Sequence, residues 1–177
     1  EAAGPNDNLF VSPLSLSEGL GLALLGARGQ TEAEMRDLLG WEAATRPELL
    51  VKAYDDFLTE TRDDKVALSV ANALWLSDEL TFEADYLRTT RAAFGATADT
   101  VDFGGDPQSA ANRINGWVSE ETRERINKIV DASGFNDSTA AVLTNAVWFR
   151  ADWTVPFEDG STGEFTRGDG SKVAAHM

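Results

Sequence analysis

The sequence contains no cysteine. Disulfide staples, thiolate nucleophiles and cysteine-based zinc sites are excluded, so burial and hydrogen bonding must hold the fold. That absence fits a reducing interior and also a secreted protein that needs no disulfide. Histidine is almost missing as well: His176 is the only one. A Ser–His–Asp triad would have to use it, but no G-x-S-x-G elbow exists. His176 also falls on an edge-strand pattern near the terminus. Basic residues are scarce, 15 against 30 acidic, for a formal net charge of −15. Such a surface repels phosphate backbones, anionic lipid and sulfated polysaccharide, so no nucleic acid and no membrane partner is expected. Long hydrophobic runs are lacking too. The charge-free stretch "STAAVLTNAVWF" is too short and too polar to span a bilayer. No basic-then-apolar leader opens the sequence.

Phosphate-binding loops are equally absent. "GLGLALLG" lies inside a helical pattern with the wrong glycine spacing, and no Gly-Lys-Ser/Thr loop follows a strand. Asp159, Glu164 and Asp169 do not match the spacing of a calcium loop and read as a solvated acidic turn. "RGD" at Arg167 to Asp169 is a tripeptide that chance supplies often. Neither a cofactor nor a metal is expected.

What is present is a chain of 177 residues with 42% hydrophobic content, enough for one domain with a sizeable core. A short apolar strand, Leu9 to Val11, leads into Ser12-Pro13, an N-cap followed by a first helical residue. Leu16, Leu20, Ala23 and Leu24 then recur at helical spacing until Gly26. Thr31 with Glu34 forms a capping box for a second helix, closed by Gly40. Pro47 to Arg62 reads as a third, amphipathic helix. Strands are predicted at Lys65 to Ser77, Thr97 to Phe103 and Thr139 to Phe149. Helices at Phe82 to Phe94 and Pro107 to about Ile129 alternate with them. Crossover helices of this kind favour parallel neighbours. Beyond Trp153 a Gly- and Asp-rich segment predicts two short strands with turns.

Two long strands share an oddity. "VANALWL" carries Asn72, and "LTNAVWF" carries Asn145. Strand periodicity puts Val70, Asn72, Leu74 and Leu76 on one face, and Leu143, Asn145, Val147 and Phe149 on one face of the other strand. Both amides therefore lie on apolar faces, where an unsatisfied one costs about 1–3 kcal/mol. The Ser12 and Ser15 hydroxyls, at the start of a mostly apolar helix, are the expected partners of Asn145. Asn72 reads as structural, and Trp75, Trp117 and Trp148 as packing. On pattern alone, a satisfied polar spot in the core and a functional cluster are both open.

These residues, in this order, resemble the serpin family. "NLFVSPLSLSEGLGLALLGARGQTEAEM" resembles its Asn-x-x-x-Ser-Pro-x-Ser opening, helix B and helix C. "VANALWLSDELTF" resembles strand 2A of its large sheet, "INGWVSEETRERI" its helix F, and "LTNAVWFRADWTVPF" its strand 3A signature. Departures are Arg150-Ala151-Asp152 for the usual Lys-Gly-x, and Glu124 where helix F often has Gly.

The resemblance implies an α+β serpin fold, with residues 1–177 as the N-terminal half of one domain. That half would hold helices B to F, strands 2A, 1A and 3A, and the start of sheet C. It also implies a serine protease inhibitor, not an enzyme: the protease cleaves a reactive loop in the other half and becomes acylated by it. The cleaved loop then inserts into sheet A beside strand 3A. Ser12, Ser15 and Asn145 match the shutter that controls opening of that sheet, and Trp153 matches the breach where the loop enters. The implied partner is a chymotrypsin-like or subtilisin-like serine protease met by a monomer, in an extracellular setting rather than a cytoplasmic one. Alternatives are a non-inhibitory carrier or chaperone-like serpin and, more remotely, an unrelated α+β hydrolase using His176. Frequent Ala, Asp, Arg and Gly suggest a bacterial source. In the segment where heparin-activated serpins carry a basic helix, Lys52 and Arg62 face Glu48, Asp55, Asp56 and Glu60. Heparin is accordingly expected to leave the rate of protease inhibition unchanged; a rate enhancement in a kinetic assay contradicts this.

Overall fold

The computed structural model describes residues 11–42, 66–156 and 160–176, with residues 46, 49, 52 and 56 between. The strand expected at residues 9–11 and the helix expected at 47–62 lie largely outside the described residues. The chain forms two units, one of residues 13–150 and one of residues 151–177 with 1–12.

Among the described residues, the larger unit holds four helices and a three-stranded sheet: α1 (Pro13–Gly26), α2 (Gly29–Leu39), β1 (Val66–Ser77), α3 (Ala84–Phe94), β2 (Thr97–Val101), α4 (Pro107–Glu121), a short 3-10 turn at Ala132–Gly134, and β3 (Ala141–Ala151). The sheet order is β2-β1-β3. β1 and β2 are parallel, in register from Ala73 opposite Thr97 to Ser77 opposite Val101. α3 is the crossover between them, as parallel pairing requires.

β3 breaks the all-parallel expectation. The Ser77 amide donates to the Ala140 carbonyl at 2.9 Å, while Asn145 bonds to Asn72. The late end of β1 therefore lies beside the start of β3, and these strands run in opposite directions. The cause is the end of α4. The helix stops at Glu121 rather than near Ile129. Arg123 and Glu124 then adopt left-handed conformations, φ 51° and 62°, and the chain doubles back. Asn115 on α4 clasps the returning segment, accepting from the Ile129 and Val130 amides at 2.8 and 3.1 Å and donating to the Val130 carbonyl at 2.9 Å. One helical crossing and one return bring the chain to the end of the sheet it left, which makes β3 antiparallel.

The alternation of faces follows the sequence pattern. Leu74, Leu76 and Leu143 pack with Leu22 of α1 and Ala93 and Phe94 of α3. Ala73, Trp75 and Val142 pack on the opposite face with Ala110 and Ile114 of α4. Trp75 and Trp117 meet edge to face at 6.1 Å, and the Arg123 guanidinium lies 3.9 Å over the Trp148 ring. These three tryptophans are packing residues, as expected.

Two helix details differ from the sequence reading. In α1 the buried residues are Glu18, Gly21, Leu22 and Leu24, whereas Leu16 is 60% exposed. The helix is apolar almost all round, so spacing alone did not fix which stripe turns inward. A Cβ on Gly21 would stand 2.8 Å from the Phe94 ring, so the missing side chain lets α3 approach α1. In α2 the helix begins at Gly29, and Arg28 caps it without a side-chain bond. Glu34 bonds Gln30 at 2.7 Å instead of reaching back to Thr31. Gly40, at φ 65°, ends the helix as expected.

The smaller unit contains a hairpin of β4 (Thr162–Thr166) and β5 (Lys172–His176), paired antiparallel with Thr162 opposite His176. Its turn is closed by the Arg167 amide on the Ser171 carbonyl at 2.8 Å. Asp169 accepts from the Ser171 amide at 2.8 Å, and these Ser171 hydrogen bonds hold its carboxyl below the ordinary value. Glu164 pairs with Lys172 at 2.7 Å. Among the described residues no group of three metal-binding side chains converges.

Glu124 carries a left-handed backbone on a residue with a Cβ, which costs about 1–2 kcal/mol. Glu124→Gly is expected to stabilise the protein by about 1 kcal/mol in urea unfolding. Arg123→Gly gains less or loses stability, because it also removes the guanidinium from Trp148.

Candidate functional site

The buried polar cluster grows out of three elements meeting under the sheet. β1 projects Asn72 toward α1 and α3, on the same face as Leu74 and Leu76. The Asn72 side chain is 3% exposed. Its Nδ2 donates to Glu18 Oε2 at 2.8 Å and to the Phe94 carbonyl at 3.1 Å. The Phe94 carbonyl belongs to the last turn of α3, where no intrahelical donor is available. One amide thus ties a strand to the side of one helix and the end of another.

β3 adds the second amide. Asn145 Nδ2 donates to Asn72 Oδ1 at 2.9 Å and approaches Glu18 Oε2 at 3.5 Å. The Asn145 Oδ1 is buried and has no hydrogen-bond partner among the described residues. The opposite face of the sheet carries a second tie between the same strands. The Trp75 indole N–H donates to the Thr144 hydroxyl at 3.0 Å. Tyr86 of α3 donates its hydroxyl to the Leu22 carbonyl of α1 at 3.2 Å, locking the two helices that flank the cluster. Burial pushes the Tyr86 phenol above its ordinary pKa.

The expected site residues are placed as follows. Asn145 is at the cluster. Its partners are Asn72 and Glu18 in place of the expected serine hydroxyls. Ser15 lies in the first turn of α1, half-buried, and Ser12 lies immediately before that helix, also half-buried. Glu18 follows Ser15 by three residues on one helix face, and its longer side chain reaches the strand amides. Trp153 follows the end of β3 by two residues and is 71% exposed. His176 stands exposed on β5.

Sequence reasoning missed Glu18 and undervalued Asn72. A signal existed: Glu18 is the only charged residue between Pro13 and Gly26. A single carboxylate in an otherwise uncharged helix needs a polar partner once that helix is buried. Glu18 is 8% exposed, and the two asparagines provide amide donors to it.

Chemically, this is an acceptor-only group meeting two amides in series. It has no nucleophile and no proton relay; it can hold strands together and release them. Asn145→Asp replaces the amide donor by a second carboxylate beside Asn72 Oδ1 and Glu18. It is expected to cost about 3 kcal/mol at neutral pH in urea unfolding. The neighbouring charge raises the introduced carboxyl's folded pKa, so the deficit relative to wild type shrinks at acid pH and grows as pH rises through that value. An equal deficit at every pH contradicts the assignment.

Comparison with known proteins gives this arrangement a family. Residues 1–177 match the model of the family described as Serpin (serine protease inhibitor). The chain is 32% identical over 151 residues to the leukocyte elastase inhibitor of Xenopus tropicalis, covering 85% of this chain and 40% of that protein. It is 36% identical over 168 residues to an uncharacterized serpin-like protein of the archaeon Thermococcus kodakarensis, covering 92% and 38%. The crystal structure of Manduca sexta serpin-12 superposes with a TM-score of 0.80 at 27% identity, covering 93% of this chain and 46% of that one. The chain thus spans less than half the length of the relatives it matches. Animal and archaeal relatives lend no support to the expected bacterial source. The family description is that of a protease inhibitor, not an enzyme. With that match over its full length and the same α+β fold, the chain belongs to the serpin family.

Proposed function

We propose that the complete protein inhibits a serine-type endopeptidase by suicide-substrate trapping, with residues 1–177 forming the N-terminal half of its single domain. The observation that carries this reading is the match of residues 1–177 to the serpin family model, joined by the buried amide bridge between β1 and β3. In the proposed mechanism the protease cleaves an exposed loop of the other half and is held as an acyl-enzyme. The loop enters the sheet alongside β3, and new ladder hydrogen bonds and new burial supply the driving free energy.

In this reading Ser12, Ser15 and Asn145 form the shutter, to which Glu18 and Asn72 are added, and Trp153 guards the breach. The hairpin of β4 and β5 begins the smaller sheet C. The partner is a chymotrypsin-like or subtilisin-like protease met outside the cell by a monomer. The Xenopus relative, a leukocyte elastase inhibitor by name, supports the protease class. A bacterial source rests on composition alone.

The test mixes the complete protein with proteases of both types. The expected result is a covalent complex that survives denaturing electrophoresis, together with a large rise in the thermal midpoint once the loop is cleaved. If every protease cleaves the protein and leaves fully active, and the midpoint stays where it was, the trapping mechanism fails.

A further inference from the structure

The cluster has a direction as well as a membership. Glu18 accepts from Asn72, and the Phe94 carbonyl can only accept. Asn72 meets both of them with Nδ2, at 2.8 and 3.1 Å. Its amide orientation is therefore forced, and its Oδ1 must face the other way. Asn145 answers that oxygen with its own Nδ2 at 2.9 Å. That leaves the Asn145 Oδ1 as the buried end of the series, without a partner among the described residues.

We propose that Glu18 is a positioning residue that fixes the polarity of the Asn72–Asn145 amide pair, so that β3 always presents an acceptor and never a donor at the end of the series. Of the two orientations open to an amide pair, the second, reversed one would be opposed by the Phe94 carbonyl alone if Glu18 were absent. In the second, Asn145 would receive from Asn72 and offer N–H outward. The carboxylate at 8% exposure removes the second orientation, since reversal would aim the Asn72 oxygen at Glu18 and at the Phe94 carbonyl together. A segment that settles against β3 can then satisfy the cluster only by donating, so acceptor side chains at that point are selected against. The functional use of this selectivity rests on the trapping mechanism above; the polarity itself does not.

The test uses the complete protein and two readouts. Side-chain amide exchange followed by NMR reports the pair directly. Glu18→Met, similar in length but without an acceptor, is expected to speed exchange of the Asn72 and Asn145 Nδ2 protons by about tenfold. Glu18→Gln can still turn its carbonyl to Asn72 and stays within about threefold of wild type. The second readout is a double-mutant cycle on the folding equilibrium between Glu18→Gln and Asn145→Asp. Only the glutamine lets the series reverse, with residue 18 donating to Asn72 and Asn72 donating to the introduced carboxylate in exchange for its bond to the Phe94 carbonyl. The glutamine is therefore expected to recover about tenfold of the loss caused by the aspartate. Unchanged exchange in Glu18→Met, or additive effects in the cycle, overturns the proposal and leaves Glu18 as filling. Should Glu18→Met not fold, the cycle alone decides. Neither readout involves a protease, so absence of trapping would overturn the functional reading while leaving this one standing.

Discussion

A carboxylate buried under a sheet, accepting from two asparagines in series, is the interaction on which the larger unit depends. Glu18, Asn72, Asn145 and the Phe94 carbonyl come from α1, β1, β3 and the end of α3. Each is costly to bury alone. Together they offset one another, because the amides supply donors where the carboxylate and the helix end supply only acceptors. Apolar packing around them, Leu22, Leu74 and Phe94 above all, excludes water and so raises the penalty for leaving any member unmatched. Hydrophobic burial drives these elements together; the polar cluster specifies how the two helices and two strands are matched.

In the proposed mechanism that combination suits a sheet that holds and yet accepts another strand. A purely apolar seam is indifferent to small slips, whereas a hydrogen-bonded seam has discrete arrangements. β1 and β3 are tied on both faces, by Asn72 with Asn145 on one and by Trp75 with Thr144 on the other. They form a fixed pair in the described sheet. In the proposed mechanism this pair behaves as one body while β3 gains a strand beside it. The Asn145 oxygen, without a partner among the described residues, sits on that strand.

Much of the fold was legible because it rests on local rules. The faces of both long strands, the parallel crossover through α3, the Pro107 start of α4 and the Gly40 stop of α2 follow from periodicity and capping chemistry. The run of family motifs made the α+β serpin architecture readable where single segments were ambiguous. The misreadings share a physical origin. α1 is apolar on nearly every side, so spacing could not choose its buried stripe. The end of α4 depends on Arg123 and Glu124 accepting a left-handed backbone that neither residue favours, and on Asn115 holding the returning chain. No periodicity encodes such a tertiary clasp. With that return unseen, β3 was read as parallel. In the site, the two amides were found because polar residues on apolar strand faces stand out. Their anchor was missed because a glutamate in a helix usually faces water.

The central claim is that the amide bridge restrains a sheet built to open. The most direct measurement follows spontaneous conversion of the complete protein on warming, by native gel and size-exclusion chromatography, in wild type and Asn145→Leu. The leucine keeps bulk but leaves Asn72 Oδ1 and Glu18 without that donor, so the account predicts faster self-insertion or polymer formation than in wild type. A variant that stays monomeric on warming and keeps full inhibitory activity would contradict it.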